Sequence, residues 1–175
     1  VKQYPTKIIF VNPGGFPHGV TVDNILYVQS TPRNRLLADV LSKTGLVERS
    51  GQGVDNIYLD TLSEGKPAPD YSKTDAFCVT LILSSKIEDA AFSQYINSIQ
   101  DSLPDDAKLT VYDVLTLNMI RQSKNRQALD KRIVANLLRS GYLDQRGKTS
   151  GPYYILGKDY YEMAAKLSEY SKLTD

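Results

Sequence analysis

Two glycine turns constrain the fold of this chain more than any other feature of its sequence. The apolar run Ile8, Ile9, Phe10 and Val11 stops at Asn12-Pro13-Gly14-Gly15. Proline there lacks a ladder donor, and glycine reaches backbone angles that other residues avoid. A second turn, Gly51-Gln52-Gly53, follows one helical pattern and precedes another. Such pairs let backbone approach a neighbour closely. That neighbour can be a phosphate held by exposed amides, or only the chain itself in two tight turns. Spacing alone leaves both readings open.

Around these turns the pattern is α/β. Residues 4–11 read as a strand, entered from a preceding one. Residues 21–28 predict a short helix capped by Thr21. Thr31-Pro32 predicts the start of a better one, because threonine caps free amides and proline suits the first helical position. Leu36, Leu37, Val40 and Leu41 give that helix a stripe to bury, and Gly45 a left-handed end. Residues 53–62 predict a further helix with Val54, Ile57, Tyr58 and Leu62 on one side. Residues 76–83, rich in β-formers, predict a strand buried on both faces. Cys78 within it reads as a buried small hydrophobe.

The order of these motifs carries a resemblance. Asn12-Pro13-Gly14-Gly15-Phe16-Pro17, then Pro32-Arg33-Asn34 with Leu36-Leu37-Ala38-Asp39-Val40-Leu41, then Gly45-Leu46-Val47-Glu48-Arg49 and Gly51-Gln52-Gly53 resemble the divergent GHKL-type ATPase domain. That domain occurs in bacterial proteins labelled RecG-like helicases or transcriptional regulators, after a Schlafen AlbA-type domain and before a winged helix. The resemblance covers about residues 4–83. It implies that Asn12 stands where related ATPases place an adenine-reading aspartate. Gly14 and Gly15 would form the first glycine box, and Gly51 and Gly53 a second, weaker one. It also implies that the asparagine-bearing helix that would hold magnesium lies before Val1, so that residues 1–84 are a truncated ATPase-like α/β module. ATP is then a cofactor of a longer protein, and hydrolysis by this chain is not expected.

Residues 85–175 read as a second domain, after a boundary at Ser84-Ser85-Lys86. Ser85 with Glu88 matches a capping box, and Phe92, Tyr95, Ile96 and Ile99 follow at helical spacing. Thr110 with Asp113 predicts another capped helix carrying Val114, Leu115 and Met119. A third, after Gln122-Ser123-Lys124-Asn125, carries Leu129, Ile133, Val134, Leu137 and Leu138 and ends at Gly141. Two short β runs around a polar glycine turn then predict a hairpin. Three helices followed by a hairpin is the winged helix-turn-helix order, and this half also resembles the winged helices that follow the divergent ATPase domain. A last amphipathic helix over 158–173 packs on its own domain or forms a homodimer seam.

Charge points to the partner. Residues 121–148 hold eight basic and two acidic side chains, a net +6 in a chain whose total is only +1. Nucleic acid is the commonest partner of such a segment, and a solvated basic face is the alternative. Projected on a helix, Lys124, Asn125, Ala128, Lys131, Arg132, Ala135 and Arg139 fall opposite the leucine stripe. Asn125 and Gln127 lie near its start, where recognition helices reach bases, and Arg146 and Lys148 sit at the hairpin tip. Double-stranded DNA is therefore the expected partner.

No catalytic set stands out. His18 is the single histidine, which excludes His-based triads and multi-His metal sites, and there is no GxxxxGK[ST] phosphate loop. One cysteine and no long apolar run fit a cytoplasmic protein without membrane contact. The expected function is the DNA-binding C-terminal portion of a bacterial transcriptional regulator. The distal part of a GHKL-like ATP-binding enzyme, or an oligomerisation and docking module, are the alternatives.

Overall fold

The computed structural model describes residues 1–29, 31–46, 51–123, 129–147 and 153–174, the last five of these by backbone alone. The chain divides into two compact units: Val1–Thr61 with Pro67–Lys86, and Leu62–Lys66 with Ile87–Asp175.

The first unit is built on an antiparallel sheet, β1 (Lys2–Tyr4), β2 (Lys7–Pro13) and β3 (Cys78–Ser84), with β2 in the centre. The strand expected over 4–11 is a hairpin instead. Pro5-Thr6 turns the chain, so that Tyr4 pairs with Lys7, and the Pro5 and Thr6 carbonyls accept from the hydroxyl and amide of Ser85. β3 is half-buried and only Thr80 on it is fully covered, so the expected burial of both faces does not occur. Cys78, at its start, is likewise only half-buried. Asp70 extends the sheet, exchanging both backbone hydrogen bonds with Ile82 at 3.0 and 2.9 Å.

Two helices complete this unit. Residues 21–28 form successive turns rather than the expected helix. The Thr21 amide donates to the Asn24 side chain at 2.7 Å, and that side chain donates to Gly19 O, a local arrangement that competes with helix. α1 runs Arg35–Lys43, and its cap is Asn34, which accepts from the Leu37 amide at 2.9 Å, not Thr31. It ends as expected at Gly45 (φ +72°). There the Leu46 amide reaches Leu41 O and the Gly45 amide reaches Ser42 O, the two bonds of a Schellman motif. Its stripe, however, is not buried: Leu36, Leu37 and Val40 are all exposed. α2 (Gln52–Ser63) buries Tyr58, which stacks on buried Tyr71 with centroids 6.5 Å apart.

The second unit is better filled. α3 (Ala90–Ser102) buries Phe92, Tyr95, Ile96 and Ile99, as their spacing predicts. Its cap is Asp89, accepting from the Phe92 amide at 2.9 Å, rather than the Ser85–Glu88 pair. After a 3-10 turn (Asp105–Ala107), α4 (Val111–Arg121) opens on the predicted capping box between Thr110 and Asp113. α5 (Lys131–Arg139) buries Val134 and Leu137 against α4 and β4. It starts later than the sequence pattern suggests, because Asp130 holds a non-helical backbone and caps Arg132. β4 (Leu143–Arg146) and β5 (Tyr153–Leu156) pair antiparallel as the expected hairpin. α6 (Lys158–Thr174) packs on α3.

Candidate nucleic-acid interface and the glycine turns

α5 separates its residues by period. Val134 and Leu137 point inward, while Lys131, Arg132, Ala135 and Arg139 stay exposed on the other side. The two inward residues anchor the helix, so the basic side chains are free to extend. Lys131 and Arg132 occupy its first turn, where the positive end of the helix dipole adds to their charge. Arg139 in the last turn donates to the Asn136 side chain at 3.3 Å.

The helix stops at Ser140-Gly141. Gly141 has φ +76°, its amide reaches Leu138 O, and the Tyr142 amide reaches Leu137 O at 2.9 Å. This second Schellman turn delivers the chain into β4 within two residues. Arg146, the last residue of β4, is exposed with Asp144 at 3.9 Å, and it pairs with Tyr153 across the hairpin. Lys124, Asn125, Gln127, Ala128 and Lys148 lie outside the described residues.

Arg121 has a different job from the one its charge implies. Its side chain is only 11% exposed and donates to Asp89 at 3.1 Å and twice to the Asn118 side chain. The guanidinium also lies 5.0 Å from the centre of the Phe92 ring. Asp89 accepts from the Tyr160 hydroxyl at 2.8 Å on the same oxygen. Burial pushes the Asp89 carboxyl up, but the Phe92 amide, Tyr160 and Arg121 together outweigh it and hold the group below its ordinary value. Burial first, then the bond to Asp89, raises the Tyr160 hydroxyl to about 12. A carboxylate, a guanidinium and a phenol thus join α3, α4 and α6, and Arg121 is a structural anchor.

The first glycine turn is filled by the chain itself. Asp75 accepts from the amides of Phe77 and Cys78 at 2.7 and 2.8 Å, which fixes a turn whose carbonyls face β2. The Gly14 amide donates to Phe77 O and the Gly15 amide to Ala76 O. A β-carbon on Gly15 would lie 2.5 Å from Asp75 O, so glycine is required there for backbone against backbone. The Arg33 guanidinium donates to Gly15 O. Both amides are therefore occupied within the chain. Gly51 (φ +78°) and Gly53 open α2, and a β-carbon on Gly53 would meet nothing within 4 Å among the described residues. Asn12 is exposed on β2, opposite Val79.

Comparison with known proteins bears on these two units unequally. Residues 1–81 match the family described as "Putative ATP-dependent DNA helicase recG C-terminal", which supports an ATPase-like α/β module in that part. Among solved structures, the DIP2311 protein from Corynebacterium diphtheriae is similar at a TM-score of 0.64 and 21% identity, over 90% of this chain. The chain spans 35% of the length of that protein, and the likeness is one of fold. No curated protein matches the sequence. Among the described residues no helix is long and apolar enough to cross a membrane.

Proposed function

We propose that this chain is the DNA-binding portion of a bacterial transcriptional regulator, with α3, α4, α5 and the β4–β5 hairpin acting as a winged helix-turn-helix. The observation that carries this reading is the exposed basic face of α5, Lys131, Arg132 and Arg139, followed directly by Arg146 on the hairpin. Long cations at the start of a helix neutralise phosphates and seat it in the major groove, and exposed Ala135 lets the groove wall come close. Arg146 holds the neighbouring backbone as a wing does. If about five phosphates are neutralised, log K falls with log salt at a slope of roughly −4 to −5. Titration of duplex DNA at two salt concentrations measures this, and K131A/R132A should weaken binding to every sequence. Equal affinity at both salts, or no effect of the double substitution, overturns the reading.

ATP binding by the first unit is the second reading, favoured by the family match over residues 1–81. The occupied amides of Gly14 and Gly15 weigh against a phosphate cradle at the first turn. Among the described residues nothing crowds Gly53 in the second turn. Calorimetry with ATP separates the two readings, since a DNA-binding portion alone shows neither micromolar affinity nor turnover.

A further inference from the structure

Within the second unit, one carbonyl stands between the turn that ends α5 and the hairpin that follows. Tyr142 O, directly before β4, accepts two hydrogen bonds: from the Tyr95 hydroxyl of α3 at 2.8 Å, and from the Gly157 amide at 3.0 Å. Leu143 pairs with Leu156, so the bond from Gly157 closes the hairpin one residue beyond its ladder. Both leucines are buried, as is Tyr95, whose ring also meets Tyr160 of α6 edge-on at 5.9 Å and 65°. The junction is tight, because a β-carbon on Gly157 would lie 2.5 Å from Gly141 O and 2.8 Å from the Tyr95 hydroxyl oxygen. Apolar packing of the two leucines keeps the base of the hairpin in the core but is non-directional, whereas hydrogen bonds fix direction. Arg146 lies four residues past Tyr142 along β4, or about 13 Å at strand spacing. A tilt of about 10° at the base moves it about 2 Å, enough to break a hydrogen bond to a phosphate.

We infer that Tyr95 is a positioning residue for DNA binding: its hydroxyl, through Tyr142 O, aims the hairpin so that Arg146 meets the DNA backbone. The inference rests on the DNA-binding reading above and adds to it a buried residue on α3, a helix that carries none of the basic face. Tyr95→Phe tests it, because it keeps the ring, changes no charge and leaves Tyr142 O its bond from Gly157.

Duplex DNA is titrated with the full chain over a series of salt concentrations. Each phosphate neutralised contributes about 0.9 to the slope of log K against log salt, so Arg146→Ala should make the slope shallower by about 0.9. Tyr95→Phe should do the same although it removes no charge, and the double variant should lose no more than Arg146→Ala alone. Partial unfolding would instead lower affinity by one factor at every salt and leave the slope unchanged. If Tyr95→Phe does not fold, Gly157→Ala, which forces the same junction apart, should reproduce the shallower slope. The parent's slope in the folded variant, a further loss in the double variant, or no effect of Arg146→Ala overturns the inference and leaves the DNA-binding reading standing. Salt-independent binding by the parent removes both.

Discussion

α1 and α3 carry the same kind of pattern and meet opposite fates. In α3, Phe92, Tyr95, Ile96 and Ile99 recur at helical spacing and all are buried. In α1, Leu36, Leu37 and Val40 recur just as regularly and stay in solvent, Leu36 at 75% exposure. The contrast extends to the two units. The second fills its centre with Val114, Leu117, Leu143 and Leu156 as well, whereas the first buries Tyr58 and Tyr71 and leaves Tyr27, Leu46 and Phe77 exposed. Fully burying such a side chain contributes about 1.5–3 kcal/mol, so three exposed residues on α1 forgo several times the stabilisation of a capping bond. Periodicity tells which face of a helix is apolar. It does not tell whether anything covers that face.

The sharpest break of this contrast is Phe92→Ala. It removes a ring that is 1% exposed and lies under the Arg121 guanidinium, and should cost about 3–5 kcal/mol, read as a lowered urea midpoint of the second unit. Next is Asp89→Asn, which keeps the shape and removes the charge shared by Arg121 and Tyr160. A loss of about 1–3 kcal/mol at neutral pH is expected. Because the folded carboxyl is held below its ordinary value, its stabilisation is complete above the unfolded value near pH 4 and is lost as pH falls through the folded one. Thermal melts of the variant should therefore lack part of the parent's acid-side decline, and an unchanged decline would remove Asp89 from the account.

Gly141→Val comes third. A β-branched residue adopts φ +76° poorly although no described residue crowds it, so about 1–2 kcal/mol is lost, and on the function proposed above DNA affinity falls by more than the unfolded fraction explains. Unchanged melting and binding would mean that the turn does not place the hairpin. The smallest effect is expected for Leu36→Ala, within about 0.5 kcal/mol in the same denaturation assay. A loss near that of Phe92→Ala would show that the α1 stripe is covered in solution.

How much was legible follows from the same physics. The glycine ends of α1 and α5, the capping box at Thr110 and the buried stripe of α3 are local, and sequence encodes them locally. The apolar period of α5 runs back to Leu129, while the helix begins only after the Asp130 cap, whose backbone is extended. Thr31 and Ser85 were plausible caps that lost to Asn34 and Asp89, a few residues nearer the helices. Arg121 was the one basic residue whose different role could have been found. It follows Val114, Leu117 and Asn118 at seven, four and three residues, on the stripe that α4 buries. The filling of the first glycine turn by residues 75–77 is a contact between distant segments, and no spacing along the chain announces it.

The Asp89 carboxylate has a consequence in time as well as in energy. One oxygen caps the helix that begins beside it, a contact three residues long that forms with the helix. The other must wait for Arg121, 32 residues on, and for Tyr160, 71 residues on. Loop-closure entropy rises with those separations, and contacts of high separation slow folding. The same side chain thus makes both a local contact and one that spans 71 residues. The Tyr160 hydroxyl, displaced upward by burial and by its bond to Asp89, is thus the group whose titration distinguishes a docked α6 from an undocked one.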